Sequence, residues 1–168
     1  MVSFDEEQTH SGDRIVTEPT THTVEVPGAV LTYDVRANGT WSGPPLMLIG
    51  SPMGAAGFGS LSKHLSDRTI ITYDPRGAER STRTDVTSPV APNIHADDIS
   101  RIIDAVGAGP VDLVATSGGA VNALALVAKH PEQVRTLVAH EPPLASQLPD
   151  RDAAQATGQA IHDTYQER

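Results

Sequence analysis

The stretch that decides the fold is VDLVATSGGAV, residues 111–121. A short apolar run stops at Ser117 and two glycines, and a second apolar run begins directly after them. The pattern predicts a strand, a sharp turn that carries a hydroxyl group, and a helix, which is the outline of a nucleophile elbow. The elbow consensus is Gly-x-Ser-x-Gly, and Ala115 stands where that consensus has its first glycine. The alternative is an ordinary strand-to-helix turn of a parallel α/β protein.

The residues on both sides of Ser117 support the elbow. A strand over residues 111–114 follows the turn Gly-Ala-Gly-Pro at 107–110. A helix is predicted over residues 118–130, and Pro131 ends it. Asn122 is the only polar residue in the middle of that helix, so we expect the helix to be buried nearly all round.

Two more apolar runs end in loops of unusual composition. Residues 45–49, PLMLI, lead into GSPMG at 50–54, and residues 69–73, TIITY, lead into DPRGAERS at 74–81. With these loops and the elbow in this order, the chain resembles the α/β-hydrolase fold family. The resemblance is to its small esterase, epoxide-hydrolase-like and cofactor-free haloperoxidase-like branch.

Each loop matches a family landmark with one departure. The family's His-Gly-x-Pro corresponds to residues 49–52, with Ile49 in place of histidine. The family's Asp-x-Arg-Gly-x-Gly-x-Ser corresponds to residues 74–81, with Glu79 in place of the second glycine. The resemblance extends over about residues 23–143.

The resemblance implies a mostly parallel sheet with helices on both faces, ending after about the sixth strand. We expect a flexible tail at residues 1–20, a hydrolase core at 21–144, and the start of a cap or connecting helix at 145–168. The predicted elements are a hairpin (22–26, 30–36), strands (45–49, 69–73, 111–114, 134–139) and helices (58–65, 93–106, 118–130, 150–166).

The resemblance also implies the residues of the site. Ser117 would be the nucleophile, and the backbone N–H groups of Gly118 and Ser51 would form the oxyanion hole. Pro52 has no N–H group, and Met53 in the same loop is a candidate substrate-binding residue. Relatives that open epoxides or displace halide have aspartate at the elbow. Serine therefore favours acyl transfer on a small ester, thioester or lactone, with no cofactor.

The catalytic base and acid are harder to assign. In the family they follow the nucleophile in the order acid, then histidine, on later strands than this chain contains. We therefore expect either an N-terminal portion of a longer hydrolase or a partner-dependent chain. His140 and Glu141 are the His and Glu that the topology brings nearest Ser117, as candidate base and acid. By strand alternation His140 is expected to point toward a helix layer. The alternative function is an inactive interaction protein on this scaffold.

Composition narrows the function classes. There are 12 basic and 21 acidic residues, for a formal charge of −9, and only six aromatic residues. Nucleic-acid binding is therefore not expected, because phosphate would be repelled and no stacking platform is present. No transmembrane run and no signal peptide is recognisable, so we expect a cytoplasmic protein that does not bind a membrane. The absence of cysteine excludes disulfides and thiol nucleophiles.

Three further features have a competing interpretation. His95-Ala96-Asp97-Asp98 could bind a metal, but we expect a solvated first turn of a helix and no metal site. Arg76 is expected to hold loop backbone rather than substrate. The glycines at 50–59 lack the ending of a phosphate-binding loop.

A sheet that ends at residues 134–139 would leave an apolar edge, so we expect a homo-oligomer or a missing C-terminal half to cover it.

Overall fold

The computed structural model describes residues 18–37, 43–65, 67–107 and 109–166. Most of the expected tail, residues 1–17, lies outside the described residues. The strands are β1 Thr20–Val26, β2 Ala29–Arg36, β3 Leu46–Ile49, β4 Ile70–Tyr73, β5 Thr82–Arg83, β6 Val111–Thr116 and β7 Val134–His140. The α-helices are α1 Gly59–His64, α2 Pro92–Val106, α3 Gly118–Lys129 and α4 Arg151–Gln166. Short 3-10 turns cover Ala55–Phe58, Pro131–Gln133 and Ala145–Gln147.

The described strands form one mixed sheet in the order β1-β2-β4-β3-β6-β7, and β5 pairs with β2. The pairs β4/β3, β3/β6 and β6/β7 are parallel, whereas β1/β2, β2/β4 and β2/β5 are antiparallel. Leu46 on the central strand pairs with Ile70 on one side and with Asp112 on the other. The carboxyl ends of β3, β4 and β6 therefore lie side by side, where ligands bind in open α/β sheets.

Helices cover both faces of the sheet. Met47, Ile49 and their neighbours on one face pack into the main core together with α2 and α3. Leu46, Leu48 and Ile70 on the other face pack against Phe58, at the entrance to α1. This arrangement confirms the predicted fold class, and the predicted strands and helices are found within one or two residues of their expected bounds.

One strand was missed, and one expectation about the fold was wrong. The short strand β5 was not predicted, because Thr82 and Arg83 become a strand only by pairing with Val30 and Ala29 of the hairpin. The helix α3 is not buried all round. Its Leu124 is 37% exposed, because α3 belongs to the outer layer and only the side toward the sheet and α2 is covered.

The last strand of the sheet has one covered face and one open face. Leu137 packs against the main core, while Val138 is 54% exposed on the opposite face. The two side chains belong to different faces, so the apolar edge expected from the sequence is divided between them.

Among the residues that the structure describes, no helix is both long and apolar enough to cross a bilayer.

Candidate active site at the elbow after β6

Ser117 occupies the sharp turn between β6 and α3. Its backbone has φ 55° and ψ −129°, outside the regions that residues with a side chain favour. Its amide donates to the carbonyl oxygen of His140 at 3.0 Å, and its own carbonyl accepts from Ala120 at 3.0 Å. The residue is exposed. The unusual dihedral angles expected for the elbow are therefore confirmed, and strain of this kind clusters at functional sites.

The two glycines after Ser117 let the elbow approach the loop that follows β3. A Cβ atom at Gly119 would lie 2.6 Å from the carbonyl oxygen of Ile49, and one at Gly118 would lie 2.8 Å from that of Ser51. Real side chains do not tolerate such contacts, so both positions require glycine. Ala115, in contrast, is completely buried, and its methyl group belongs to the main core. The departure from the consensus therefore adds a methyl group to the core beside the elbow.

The same contact brings together the two residues expected to form the oxyanion hole. Gly118 is the first residue of α3 and lies directly beside Ser51. The start of α3 adds the positive end of a helix dipole, which favours a negative charge at that point. Convergence of the Gly118 and Ser51 N–H groups on one point stays a prediction.

Met53 folds over its own loop. A Cβ atom at Gly57 would collide with its Sδ atom, and one at Gly50 would lie 3.0 Å from its Cε atom. The residue is still 38% exposed. Contact of Met53 with a substrate therefore stays a prediction, and its packing between the two glycines is the contact seen.

His140 and Glu141 lie near the elbow, but both side chains face outward. Their side chains are 63% and 82% exposed, and His140 Nδ1 is 3.9 Å from the Glu141 carboxylate. The His140 ring is 3.4 Å from Thr116 Oγ1, with no hydrogen bond to the Ser117 hydroxyl. The expectation that His140 points toward a helix layer stays a prediction. Roles for both residues in catalysis stay predictions.

The turn after β4 is held by buried polar contacts. The carboxylate of Asp74, 1% exposed, accepts from Ala55 N at 2.8 Å and from Arg80 Nε at 2.6 Å. The Ser81 hydroxyl donates to the Asp74 carbonyl at 2.7 Å and accepts from Thr32 N at 2.8 Å. These contacts fix the loop after β4 against the hairpin and against the loop after β3.

Arg76 ties this turn to the rest of the molecule. It donates to both carboxylate oxygens of Asp98 at 2.7 and 2.6 Å, and to the Pro27 carbonyl at 3.3 Å. The contact with Pro27 confirms that Arg76 holds loop backbone. Asp98, however, is fully buried, so the expected solvated turn at 95–98 was wrong. No local signal in the sequence could have revealed this pairing, because the partners come from different elements.

Burial also perturbs two groups near this ion pair. Burial lowers the pKa of His95, with Asp98 acting in the opposite direction. Burial, reinforced by Asp98, raises the pKa of the Tyr73 phenol, so both groups are uncharged at neutral pH.

Within the described ranges, no cluster of three or more His, Cys, Asp or Glu residues could hold a metal ion.

Comparison with known proteins gives a consistent result. Residues 44–166 match the α/β-hydrolase fold family. An uncharacterised hydrolase of Bacillus subtilis (strain 168), YraK, is 35% identical over 136 residues, which are 80% of this chain and 49% of YraK. The 2-(acetamidomethylene)succinate hydrolase of Mesorhizobium japonicum is 37% identical over 111 residues, 65% of this chain and 38% of that protein. The chain thus spans about half or less of the length of these relatives.

Solved structures agree. The crystal structure of E-2-(acetamidomethylene)succinate hydrolase has a TM-score of 0.61 at 32% identity, covering 74% of this chain and 45% of that chain. An α/β hydrolase from Novosphingobium aromaticivorans has a TM-score of 0.64 at 20% identity, covering 71% of this chain and 43% of that chain, a likeness of fold. With the sheet order, the elbow and these matches in agreement, the chain belongs to the α/β-hydrolase fold family.

Proposed function

We propose that this chain carries the nucleophile and oxyanion hole of a serine hydrolase that acts on a small ester, thioester or lactone. The observation that carries the proposal is the conformation of the elbow. Ser117 is exposed between β6 and α3 with a backbone φ of 55°, and the elbow packs beside the loop that contains Ser51. The relatives that the chain matches are named as hydrolases, which supports hydrolysis as the reaction class.

In the proposed reaction, the Ser117 hydroxyl oxygen attacks the carbonyl carbon of the substrate and its proton passes to a general base. The carbonyl oxygen becomes an oxyanion that accepts hydrogen bonds from the Gly118 and Ser51 N–H groups. Collapse of this intermediate expels the alcohol or thiol, which takes up the proton, and leaves an acyl-enzyme. Water then releases the acid and restores the hydroxyl group.

The general base is the open part of this proposal. The His140 ring contacts Thr116 rather than Ser117 and is mostly exposed. We therefore propose that the base and the acid come from outside these 168 residues, with His140 and Glu141 as the less favoured candidates.

The cytoplasmic location expected from the sequence stays a prediction, which fractionation of the host cell would test.

Covalent labelling tests the nucleophile. We expect a fluorophosphonate to modify Ser117, as located by peptide mass spectrometry, and Ser117→Ala to abolish that modification. Ser60→Ala is the matched control, because Ser60 is also exposed and lies on α1. Added imidazole should speed the labelling if the missing element is the base. Absence of Ser117 labelling, with and without imidazole, would favour the alternative of an inactive interaction protein on a hydrolase scaffold.

A further inference from the structure

A cavity lies away from the elbow, between α1 and the strands β2 and β4. Its volume is about 370 Å³, within the range of small-molecule sites. Ala55, Ala56 and Ile70 contribute apolar lining. The charged lining groups are Asp34, Arg36, Asp74, Glu79 and Arg80. Neither Ser51 nor Ser117 lines it, so this cavity is separate from the proposed catalytic site.

Two of the carboxylates in this cavity are already paired. Arg80 donates to both oxygens of Asp34 at 3.1 and 2.9 Å, and to Asp74 at 2.6 Å. Partial burial would raise the pKa of Asp34, but hydrogen bonds from Arg80 and Thr21 outweigh it and hold that pKa below its ordinary value. Asp34 is therefore ionised at neutral pH, and Arg80 is engaged by two carboxylates at once.

Glu79 is the exception. Within the part of the chain that the structure describes, its carboxylate has no ion-pair partner, and the residue is exposed. Its backbone has φ 48°, a left-handed conformation that costs a residue with a side chain about 1 kcal/mol. Its Cγ atom lies over Gly54, at 2.9 Å from where a Cβ atom would be, so the stem of the side chain is held against the loop.

The charges around the cavity do not cancel. Three carboxylates, those of Asp34, Asp74 and Glu79, line it together with two guanidinium groups, those of Arg36 and Arg80. The excess among the described lining residues is one negative charge, and it has the same sign as the net charge of the whole chain, −9. A cation entering this cavity is favoured over an anion or a neutral molecule of the same size.

We propose that this cavity binds a small organic cation with a short hydrocarbon body, such as an alkylammonium ion. The ammonium group meets the unpaired carboxylate of Glu79 at the rim, and the hydrocarbon chain lies against the apolar lining near Ile70 and Gly59. The proposal stands on the cavity and its charges and is independent of the role given to Ser117.

Calorimetric titration at low ionic strength and neutral pH tests this with hexylammonium chloride and, as a neutral probe of the same length, hexan-1-ol. We expect saturable binding of hexylammonium that is at least about fivefold tighter than that of hexan-1-ol, the effect of one favourable charge contact near a surface. Glu79→Gln should remove this preference and leave hexan-1-ol binding unchanged. Circular dichroism of the variant verifies that the fold is retained.

A second variant tests whether the probes bind in this cavity, rather than the role of the Glu79 charge. A Cβ atom at Gly59 would meet nothing within 4 Å, and its backbone is helical, so Gly59→Leu can fill the cavity without a backbone clash. We expect this variant to lose binding of both probes. Gly158→Leu, at a helical glycine of α4 with equally open space, is the matched control and should bind as the original chain does. Equal binding of both probes, no effect of either test variant, or no saturable binding would each overturn the proposal.

Discussion

The amide of Ser117 donates a 3.0 Å hydrogen bond to the carbonyl oxygen of His140, which joins the elbow to the last residue of β7. The hydrogen bond uses the backbone of His140 and not its ring. The elbow therefore depends on the position of β7 but not on the identity of its last side chain. A substitution at His140 should leave the dihedral angles of Ser117 intact, which separates its structural contribution from any catalytic one.

The first prediction concerns the strain at Ser117. Ser117→Gly should raise the free energy of unfolding by about 1 kcal/mol relative to Ser117→Ala, because glycine adopts φ 55° without a Cβ penalty. Both variants lack the hydroxyl group, so the difference isolates the backbone. Urea unfolding of the two proteins measures it, and equal stabilities would contradict a strained elbow.

The second prediction concerns the contact between the elbow and the loop after β3. Gly119→Ala should lower the free energy of unfolding by about 2 kcal/mol, because its methyl group would lie 2.6 Å from the Ile49 carbonyl oxygen. Gly158→Ala on α4 meets no atom within 4 Å and should instead raise helix stability by about 0.5 kcal/mol. Thermal or urea unfolding compares them, and a neutral Gly119→Ala would refute the close approach.

The third prediction concerns the dependence of stability on pH. Hydrogen bonds from Arg135, with a further one from Arg68, lower the pKa of Asp112 against the opposing effect of burial. Its stabilising contribution is complete above the unfolded pKa of about 3.9 and is lost as the pH falls through the lower folded value. Asp112→Asn should therefore cost about 2 kcal/mol near neutral pH and progressively less below about pH 4.

The matched control for that measurement is Asp163→Asn, because Asp163 lies on the exposed α4 and, among the described residues, accepts a hydrogen bond from Gln159 alone. Its substitution should change stability little at any pH. A cost of Asp112→Asn that stays constant from neutral to acidic pH would show that the charge of Asp112 is not the source of its effect.

The fourth prediction concerns the open edge of the sheet. Among the described residues β7 pairs on one side only, and Val138 is 54% exposed on its uncovered face. We expect the 168-residue chain to associate in a concentration-dependent way, and Val138→Lys to weaken that association. Val86→Lys is the control, since Val86 is 72% exposed on the loop before α2. Sedimentation velocity decides, and a monodisperse monomer at high concentration would refute the expectation.

The sequence was sufficient wherever the determinants are local. The apolar runs before Gly50 and Asp74, and the glycines after Ser117, identify strands and turns because strand length and turn chemistry are encoded in a few neighbouring residues. The pairing of Arg76 with Asp98 was not predictable, because it depends on how α2 packs. The short β5 was missed for the same kind of reason, because it forms only by pairing with β2. The exposure of Leu124 was not predictable either, because it depends on how many layers cover α3.

In the candidate site, too, the local features were predictable from the sequence and the non-local ones were not. The dihedral angles of Ser117 followed from the order of strand, serine and glycine. The contact of the His140 ring with Thr116 did not, because strand alternation specifies a face but not the neighbours on that face. The cavity beside Glu79 had no signal in the sequence, since its walls come from β2, β4, α1 and the turn after β4.

The pairing of Leu46 with Asp112 has a consequence for how the chain reaches its structure. The β1–β2 hairpin can form from adjacent residues, but β3 needs β4 on one side and β6 on the other, and β6 is synthesised much later. Until β6 leaves the ribosome, the apolar β3 has an unpaired side, and such non-local parallel pairing is slow and prone to aggregation. Nascent chains released before Thr116 should therefore require chaperones to remain in solution.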